Sequence, residues 1–128
     1  MSNIPADLRY SKSDEWVRVE GDEVVIGITD YAQEQLGDIV YLELPQIGAS
    51  FAPGDSFGVI ESVKASSDLY APIGGEVVAV NSELEGNQEP INQDPYGAGW
   101  LIRMRPSGAE EELLDAAAYA AYIEERAH

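Results

Sequence analysis

Short apolar runs beside turn residues constrain the fold of this chain more than any other feature. Residues 24–28, 38–44 and 76–81 are such runs, and each adjoins a Gly, Asp or Pro signal. Strand-length runs with turn signals about every 8–12 residues are typical of sandwiches and flattened barrels. The sequence therefore predicts one mainly β domain over residues 1–128, with residues 1–9 as an extended N-terminal arm. Four aromatic residues are predicted to lie in its core: Trp16, Tyr31, Tyr70 and Trp100.

One short helix is predicted inside the β pattern. Thr29 or Asp30 can cap it, and Gly37 provides a C-terminal stop. Residues 82–99 are rich in Gly, Asn and Pro and predict a loop, which a last strand over residues 100–105 follows.

The C-terminal segment 107–128 is predicted to be helical. Its first four residues, Ser107-Gly108-Ala109-Glu110, have the form of a capping box before a helix over residues 110–126. Three residues at four-residue spacing predict the buried stripe of this helix: Leu114, Ala118 and Tyr122. Asp115 is an alternative cap that would divide the segment into two helices.

Composition excludes several classes of function. The 24 acidic residues outnumber the 7 basic ones, and a net charge of −17 repels nucleic acid and anionic membranes while it attracts basic protein surfaces. There is no cysteine, and the single histidine is the terminal His128, which we expect to be frayed, so His-based catalysis and the usual metal sites are not expected.

The chain start does not resemble a secretory signal, and residues 116–123, its longest run without a polar residue, are too short to cross a bilayer. We therefore expect a cytoplasmic protein.

A hairpin over residues 57–72 presents a lysine at its turn. Lys64 stands where the first apolar run gives way to small polar residues, and Lys12 is the only other lysine. A lone amine at a hairpin tip, flanked by Glu61 and Asp68, indicates an attachment point. The alternative is an ordinary solvated lysine, which is what most lysines are.

The residues around Lys64 belong to a longer pattern. Glu61-Ser62-Val63-Lys64-Ala65 is followed by Pro72-Ile73-Gly74-Gly75, and further segments match at residues 27–33 and 92–100. In this order and spacing the chain resembles the H-protein family of the glycine cleavage system. The resemblance implies a lipoyl/biotinyl-type barrel-sandwich hybrid of two antiparallel sheets, with a short internal helix and C-terminal helices.

The resemblance also implies a carrier and not an enzyme. Lys64 would hold lipoic acid through an amide bond. The implied partners are glycine decarboxylase, a pyridoxal-phosphate enzyme; a tetrahydrofolate-dependent aminomethyltransferase; dihydrolipoamide dehydrogenase; and lipoyl-attaching enzymes. The protein itself is expected to be a monomer that carries an aminomethyl group between the first two.

By position, the resemblance also implies roles for the acidic residues near the hairpin. Glu61 and Asp68 would be read by lipoyl-attaching enzymes, while Ser13, Glu15 and Asp68 would line a cleft for the loaded arm. Glu15 is expected to face the amine. This chain has Asp14 where the resemblance leads us to expect histidine, and a second carboxylate there is expected either to disturb the cleft or to shift the proton affinity of Glu15.

Other readings of Lys64 remain open at the level of sequence. A lipoyl domain of a 2-oxoacid dehydrogenase would have aspartate in place of Val63, and a biotinyl domain would flank the lysine with methionines. A Schiff-base lysine needs burial or nearby cations to lower its pKa, and Glu61 and Asp68 act in the opposite direction. A degenerate relative that relays lipoyl groups or only binds partners would keep the same motif.

Overall fold

The structure, a computed structural model, describes residues 3–110 and 112–126. Its strands are β1 (Arg9–Tyr10), β2 (Glu15–Glu20), β3 (Glu23–Ile28), β4 (Ile39–Glu43), β5 (Ser50–Phe51), β6 (Ser56–Ser62), β7 (Ser66–Tyr70), β8 (Ile73–Val80) and β9 (Ile102–Glu110). Its helices are α1 (Asp30–Leu36), α2 (Glu83–Gly86), α3 (Glu89–Gln93) and α4 (Ala116–Arg126). His128 and its predicted fraying lie outside the described residues.

The strands form two antiparallel sheets, as predicted. One sheet has the order β1-β2-β3-β9-β8-β5, and the other has the order β4-β6-β7. Sequential strands pair where a tight turn joins them: Gly21, with a φ of 65°, turns β2 into β3, and Glu20 pairs with Glu23. The β6–β7 hairpin supplies two of the three strands of the smaller sheet, and the residues at its tip, 63–65, are exposed.

The main core is made of the inward-facing side chains of the two sheets, with contributions from α2 and α3. Ile26, Ile60, Leu69, Ile102 and Met104 are among its fully buried members. The backbones of β4 and β6 approach closely, since a Cβ at Gly58 would lie 2.3 Å from the carbonyl oxygen of Glu43. Only glycine fits at that position.

A second buried cluster fixes the C-terminal helix to the larger sheet. The rings of Tyr10 and Tyr119 stack at 4.7 Å between centroids, and Trp16 is fully buried in the same cluster. Tyr10 also exchanges two backbone hydrogen bonds with Leu114, of 2.8 and 2.7 Å. These contacts bring the end of the chain back to the start of β2.

The predicted start of the C-terminal helix is wrong. Residues Ser107–Glu110 continue strand β9, where Glu110 pairs with Ile73 of β8, so their backbone groups belong to a sheet and not to a capping box. The helix begins at Ala116 and is capped by Asp115, whose Oδ1 accepts the N–H of Ala118 at 2.8 Å. Asp115 thus caps the single helix α4.

Five smaller predictions also need correction. The fully buried residue of α4 is Tyr119, whereas of the predicted stripe Leu114 precedes the helix, Ala118 is exposed and Tyr122 is only partly buried. Residues 82–99 contain α2 and α3, and Trp100 precedes the last strand. Tyr70 is 37% exposed and lies outside the core. The N-terminal arm turns at residues 6 and 7 and is not extended throughout.

The predicted internal helix is confirmed as α1. Thr29 is its N-cap, with its side chain accepting the N–H of Ala32, and Gly37 is its C-cap. Within the described part of the chain, no helix combines the length and the apolar character needed to cross a membrane.

Candidate functional site

The turn between β6 and β7 is locked by a single serine. The hydroxyl oxygen of Ser62 accepts the backbone N–H groups of Lys64 and Ala65, both at 3.1 Å, and the N–H of Ser62 donates to the carbonyl of Ala65 at 2.7 Å. Lys64 is the middle of the three connecting residues and is exposed. The backbone of the tip is therefore fixed while the lysine side chain stays accessible.

The tip rests on the end of α1. The N–H of Val63 donates to the carbonyl of Asp38 at 3.1 Å. The Cε atom of Lys64 lies 3.4 Å from the position that a Cβ of Gly37 would occupy. Gly37 has a φ of 76°, so glycine is favoured there for its backbone as well as for the space that it leaves beside the lysine.

A narrow cleft begins next to this contact. Leu36, the neighbour of Gly37, contributes to the lining of a cavity of about 150 Å³ between α1, the start of β2 and the hairpin. Its apolar lining residues are Ile28, Ala32, Leu36, Ile60 and Leu69, and its polar ones are Ser13, Asp14, Glu15, Gln35, Ser67, Asp68 and Arg126. The cleft thus combines an apolar wall with charged groups.

Glu15 is the most buried charged residue of the cleft, with 1% exposure. Its carboxylate accepts hydrogen bonds from the hydroxyls of Ser11, at 2.8 Å, and Ser13, and from the N–H of Tyr70 at 3.2 Å. Burial raises the pKa of Glu15 from its ordinary 4.5 to about 7, although these hydrogen bonds act to lower the pKa. The carboxyl group therefore changes its charge near neutral pH.

The structure brings together three of the five predicted site residues at the cleft. Ser13, Glu15 and Asp68 line the same cavity, and Asp68 is exposed at its mouth, 3.5 Å from the hydroxyl of Tyr70. Glu61 lies apart, where it pairs across the smaller sheet with Tyr41 and Ser66. Of the two acidic residues predicted to be read by lipoyl-attaching enzymes, Asp68 therefore lies at the cleft and Glu61 does not.

Ser11 is a site residue that the sequence interpretation missed. It is buried, accepts the N–H of Glu15 at 3.0 Å and donates its hydroxyl proton to the carboxylate of the same residue. The alternation of Ser11, Ser13 and Glu15 was a signal, because residues two apart share one side of an extended segment. That signal alone does not show that the segment turns so tightly that both serines reach one oxygen.

Asp14, which directly precedes Glu15, is held by the C-terminal helix. Its carboxylate accepts two hydrogen bonds from Arg126, of 2.6 and 3.0 Å, and one from the hydroxyl of Tyr119 at 2.9 Å. Asp14 raises the pKa of Glu15, as expected, but it is the smallest of the causes, and burial is the largest. The second carboxylate is thus paired and does not stand free beside Glu15.

Comparison with known proteins agrees with this geometry. The profile of the glycine cleavage H-protein family matches residues 8–126. The glycine cleavage system H protein of Symbiobacterium thermophilum is 54% identical over 127 residues, which span 98% of this chain and 99% of the relative. That of Chromobacterium violaceum is 58% identical over 126 residues, 96% of this chain and 98% of the relative. The chain belongs to the glycine cleavage H-protein family.

A solved structure supports the same assignment. The crystal structure of a glycine cleavage system H protein from Mycobacterium marinum has a TM-score of 0.87 and 40% identity, and the match covers 98% of this chain and all of that one. The predicted family and the predicted two-sheet sandwich are therefore confirmed. Members of this family are lipoyl-bearing carriers and not catalysts, which favours the carrier over the Schiff-base alternative. The exposure of Lys64 agrees, because a Schiff-base lysine needs burial or neighbouring cations.

Proposed function

We propose that this protein is a shuttle of the glycine cleavage system that carries lipoic acid on Lys64. The observation that carries this proposal is an exposed lysine, on a turn locked by Ser62, beside a narrow cleft that contains the buried carboxyl group of Glu15. An amide bond to lipoic acid would remove the charge of Lys64. The attached arm would then be free to leave the tip or to enter the cleft.

The residues of the cleft fit such an arm. Its apolar wall, formed in part by Leu36, Ile60 and Leu69, suits the hydrocarbon and sulfur-containing end of a lipoyl group. Lys64 lies over Gly37, next to Leu36, so the attachment point stands at the edge of the same cavity. When bound, the lipoyl group supplies the sulfur that accepts the aminomethyl group and the dithiol that is later reoxidised.

Glu15 would hold the amine of the loaded arm. A protonated amine next to the carboxyl group lowers its pKa, because an opposite charge favours the ionised form. Glu15 would therefore release its proton and form a charge-assisted hydrogen bond in a site that contains little water. Ser13 would keep the carboxylate in place, and Asp68 would contribute a weaker attraction from the mouth of the cleft. Retention of the protonated amine disfavours its loss as ammonia.

The partners in this proposal are the enzymes of the glycine cleavage system. Glycine decarboxylase loads the arm, the aminomethyltransferase unloads it, and dihydrolipoamide dehydrogenase reoxidises it. Lipoyl-attaching enzymes would recognise the hairpin through Glu61 and Asp68. The net charge of −17 would steer basic surfaces of these enzymes toward the carrier. A cytoplasmic location and a monomeric state belong to the same proposal, and light scattering after size-exclusion chromatography would test the second.

The intact mass of the protein tests the attachment site. The wild type and the variants Lys64→Ala and Lys12→Ala would be incubated with a lipoyl ligase, lipoate and ATP. We expect one lipoyl adduct on the wild type and on Lys12→Ala, and none on Lys64→Ala, with unchanged circular dichroism in all three. Lys12 is a matched control because it is the only other lysine and pairs with Glu112 on the surface. An adduct on Lys64→Ala, or none on the folded wild type, would overturn the proposed site.

A further inference from the structure

Arg126 closes one side of the cleft and lies between three groups. Its two terminal nitrogens donate to the two carboxylate oxygens of Asp14, which is a bidentate ion pair. Its guanidinium carbon lies 5.0 Å from the ring centre of Tyr31 and 5.1 Å from that of Tyr122. Arg126 and Asp14 both line the cavity that contains Glu15. The last turn of α4 is therefore part of the cleft wall.

The backbone of Asp14 has an uncommon conformation and is tied to the residue before α1. The residue has a φ of 75°, which is uncommon outside glycine, and its carbonyl accepts the N–H of Thr29 at 3.0 Å. Its side chain is 14% exposed and precedes Glu15 in the sequence. Without Arg126, the cleft would contain a second fixed anion directly beside Glu15.

We propose that Arg126 is a positioning residue of the carrier cleft: it holds the Asp14 carboxylate in the wall and compensates its charge, which leaves Glu15 as the carboxylate that receives an amine. The functional meaning of this inference rests on the proposed carrier function. The pairing of Asp14 with Arg126 is independent of that function, because it can be measured on protein without lipoate.

The charged groups around Glu15 come from several elements. Asp14 precedes β2, Asp68 lies on β7 and Arg126 lies on α4, and all three line the cleft. On the far side of Ser13, Lys12 and Glu112 form an exposed pair at 3.4 Å. Arg126 is thus the basic residue among the lining groups of the cleft, and its replacement should change the charge balance that Glu15 experiences.

Titration of Glu15 in the unlipoylated protein tests this inference. The carboxyl signal of Glu15 would be followed by carbon-13 NMR against pH and identified as the one that is absent in Glu15→Gln. In Arg126→Gln we expect the titration midpoint to shift upward, because the uncompensated charge of Asp14 disfavours a second carboxylate. Arg126→Lys keeps the charge and should stay near the wild type. Arg105→Gln is the matched control, since it removes an exposed arginine that pairs with Glu76 outside the cleft.

The sign of the shift separates the proposal from a merely structural role. If Arg126 only anchors α4, its loss would open the wall and admit water, and the midpoint of Glu15 would fall toward the ordinary 4.5. A fall, or no change, in Arg126→Gln would overturn the proposal. The double variant Asp14→Asn with Arg126→Gln removes both charges and should return the midpoint to that of the wild type. A Glu15 midpoint that stays raised in the double variant would also contradict the proposal. Failure of Lys64 to accept lipoate would not change the titration of Glu15, so the two proposals can fail separately.

Discussion

The tip of the β6–β7 hairpin and the cleft beside it are built in opposite ways. At the tip, Val63 is 68% exposed and Lys64 is accessible to any enzyme that binds the hairpin. In the cleft, Glu15 and Leu69 are each 1% exposed. The two regions are nevertheless close, since Lys64 lies beside Gly37, the neighbour of the cleft residue Leu36.

The contacts that hold the two regions differ in the separation of their residues along the chain. The tip is held mainly by Ser62, which bonds to residues two and three positions away. The cleft depends on contacts between distant parts of the chain: Glu15 with Tyr70, 55 residues apart, and Asp14 with Arg126, 112 residues apart. The tip should therefore tolerate substitution without loss of the fold, whereas the cleft should share the stability of the whole domain.

The largest expected difference comes from truncation of one apolar side chain in each region. Leu69→Ala removes a buried wall of the cleft and should lower the free energy of unfolding by about 3 kcal/mol. Val63→Ala at the tip should change it by less than about 0.5 kcal/mol. Urea unfolding of both variants measures the contrast. Equal losses would mean that the tip is packed as tightly as the cleft.

The buried carboxyl group of the cleft should make stability depend on pH. Because the pKa of Glu15 is raised in the folded state, its contribution is fully present below about pH 4.5, where folded and unfolded chains both hold the proton. Between about pH 4.5 and 7 the unfolded chain ionises first, so stability should fall as pH rises, by about 3 kcal/mol in total. The difference between wild type and Glu15→Gln, measured across this range, isolates the effect. The free energy of unfolding of Lys64→Ala, plotted against pH, should run parallel to that of the wild type. If the difference in free energy between wild type and Glu15→Gln did not change with pH, the raised pKa of the buried carboxyl group would be contradicted.

The sequence predicted the tip better than the cleft because the contacts of the tip are mainly between neighbours in the chain. A hairpin with Lys64 at its turn follows from neighbouring residues, and so does the helix from Thr29 to Gly37. Arg126 comes from a distant segment and carries no local signal of its contact with Asp14. The alternation of Ser11, Ser13 and Glu15 is local, but it does not show that both serines reach one carboxylate oxygen. Tyr70 was expected in the core because aromatic residues are usually buried, yet it stands at a sheet edge where only its N–H reaches Glu15.

The C-terminal segment shows how a local signal can mislead. Ser107 and Glu110 have the spacing of a capping box, but β8 offers their backbone groups partners along a longer strand. Tertiary pairing therefore prevailed over the local preference, and the helix starts only after Asp115. This helix places Tyr119 against Tyr10 and Arg126 against Asp14.

The smallest expected effect concerns the serine lock of the tip. Ser62→Ala removes the acceptor of two backbone N–H groups that are exposed to water, so the loss of stability should be about 0.5–1 kcal/mol. The rate of lipoylation should fall more than the stability, because the lysine loses its fixed presentation. Ser66→Ala on the neighbouring strand is the control, and its lipoylation rate should match that of the wild type. A Ser62→Ala protein that is lipoylated at the wild-type rate would show that the lock is not needed.

The most direct test of the account compares ammonia release from the aminomethyl-loaded forms of the wild type and Glu15→Gln. Both variants keep Lys64 and should load equally. Above pH 7 we expect about tenfold faster release from Glu15→Gln, which corresponds to the loss of one charge-assisted hydrogen bond. Lys12→Ala should behave as the wild type. Equal rates for wild type and Glu15→Gln would contradict the claim that the buried carboxylate of the cleft protects what the exposed tip carries.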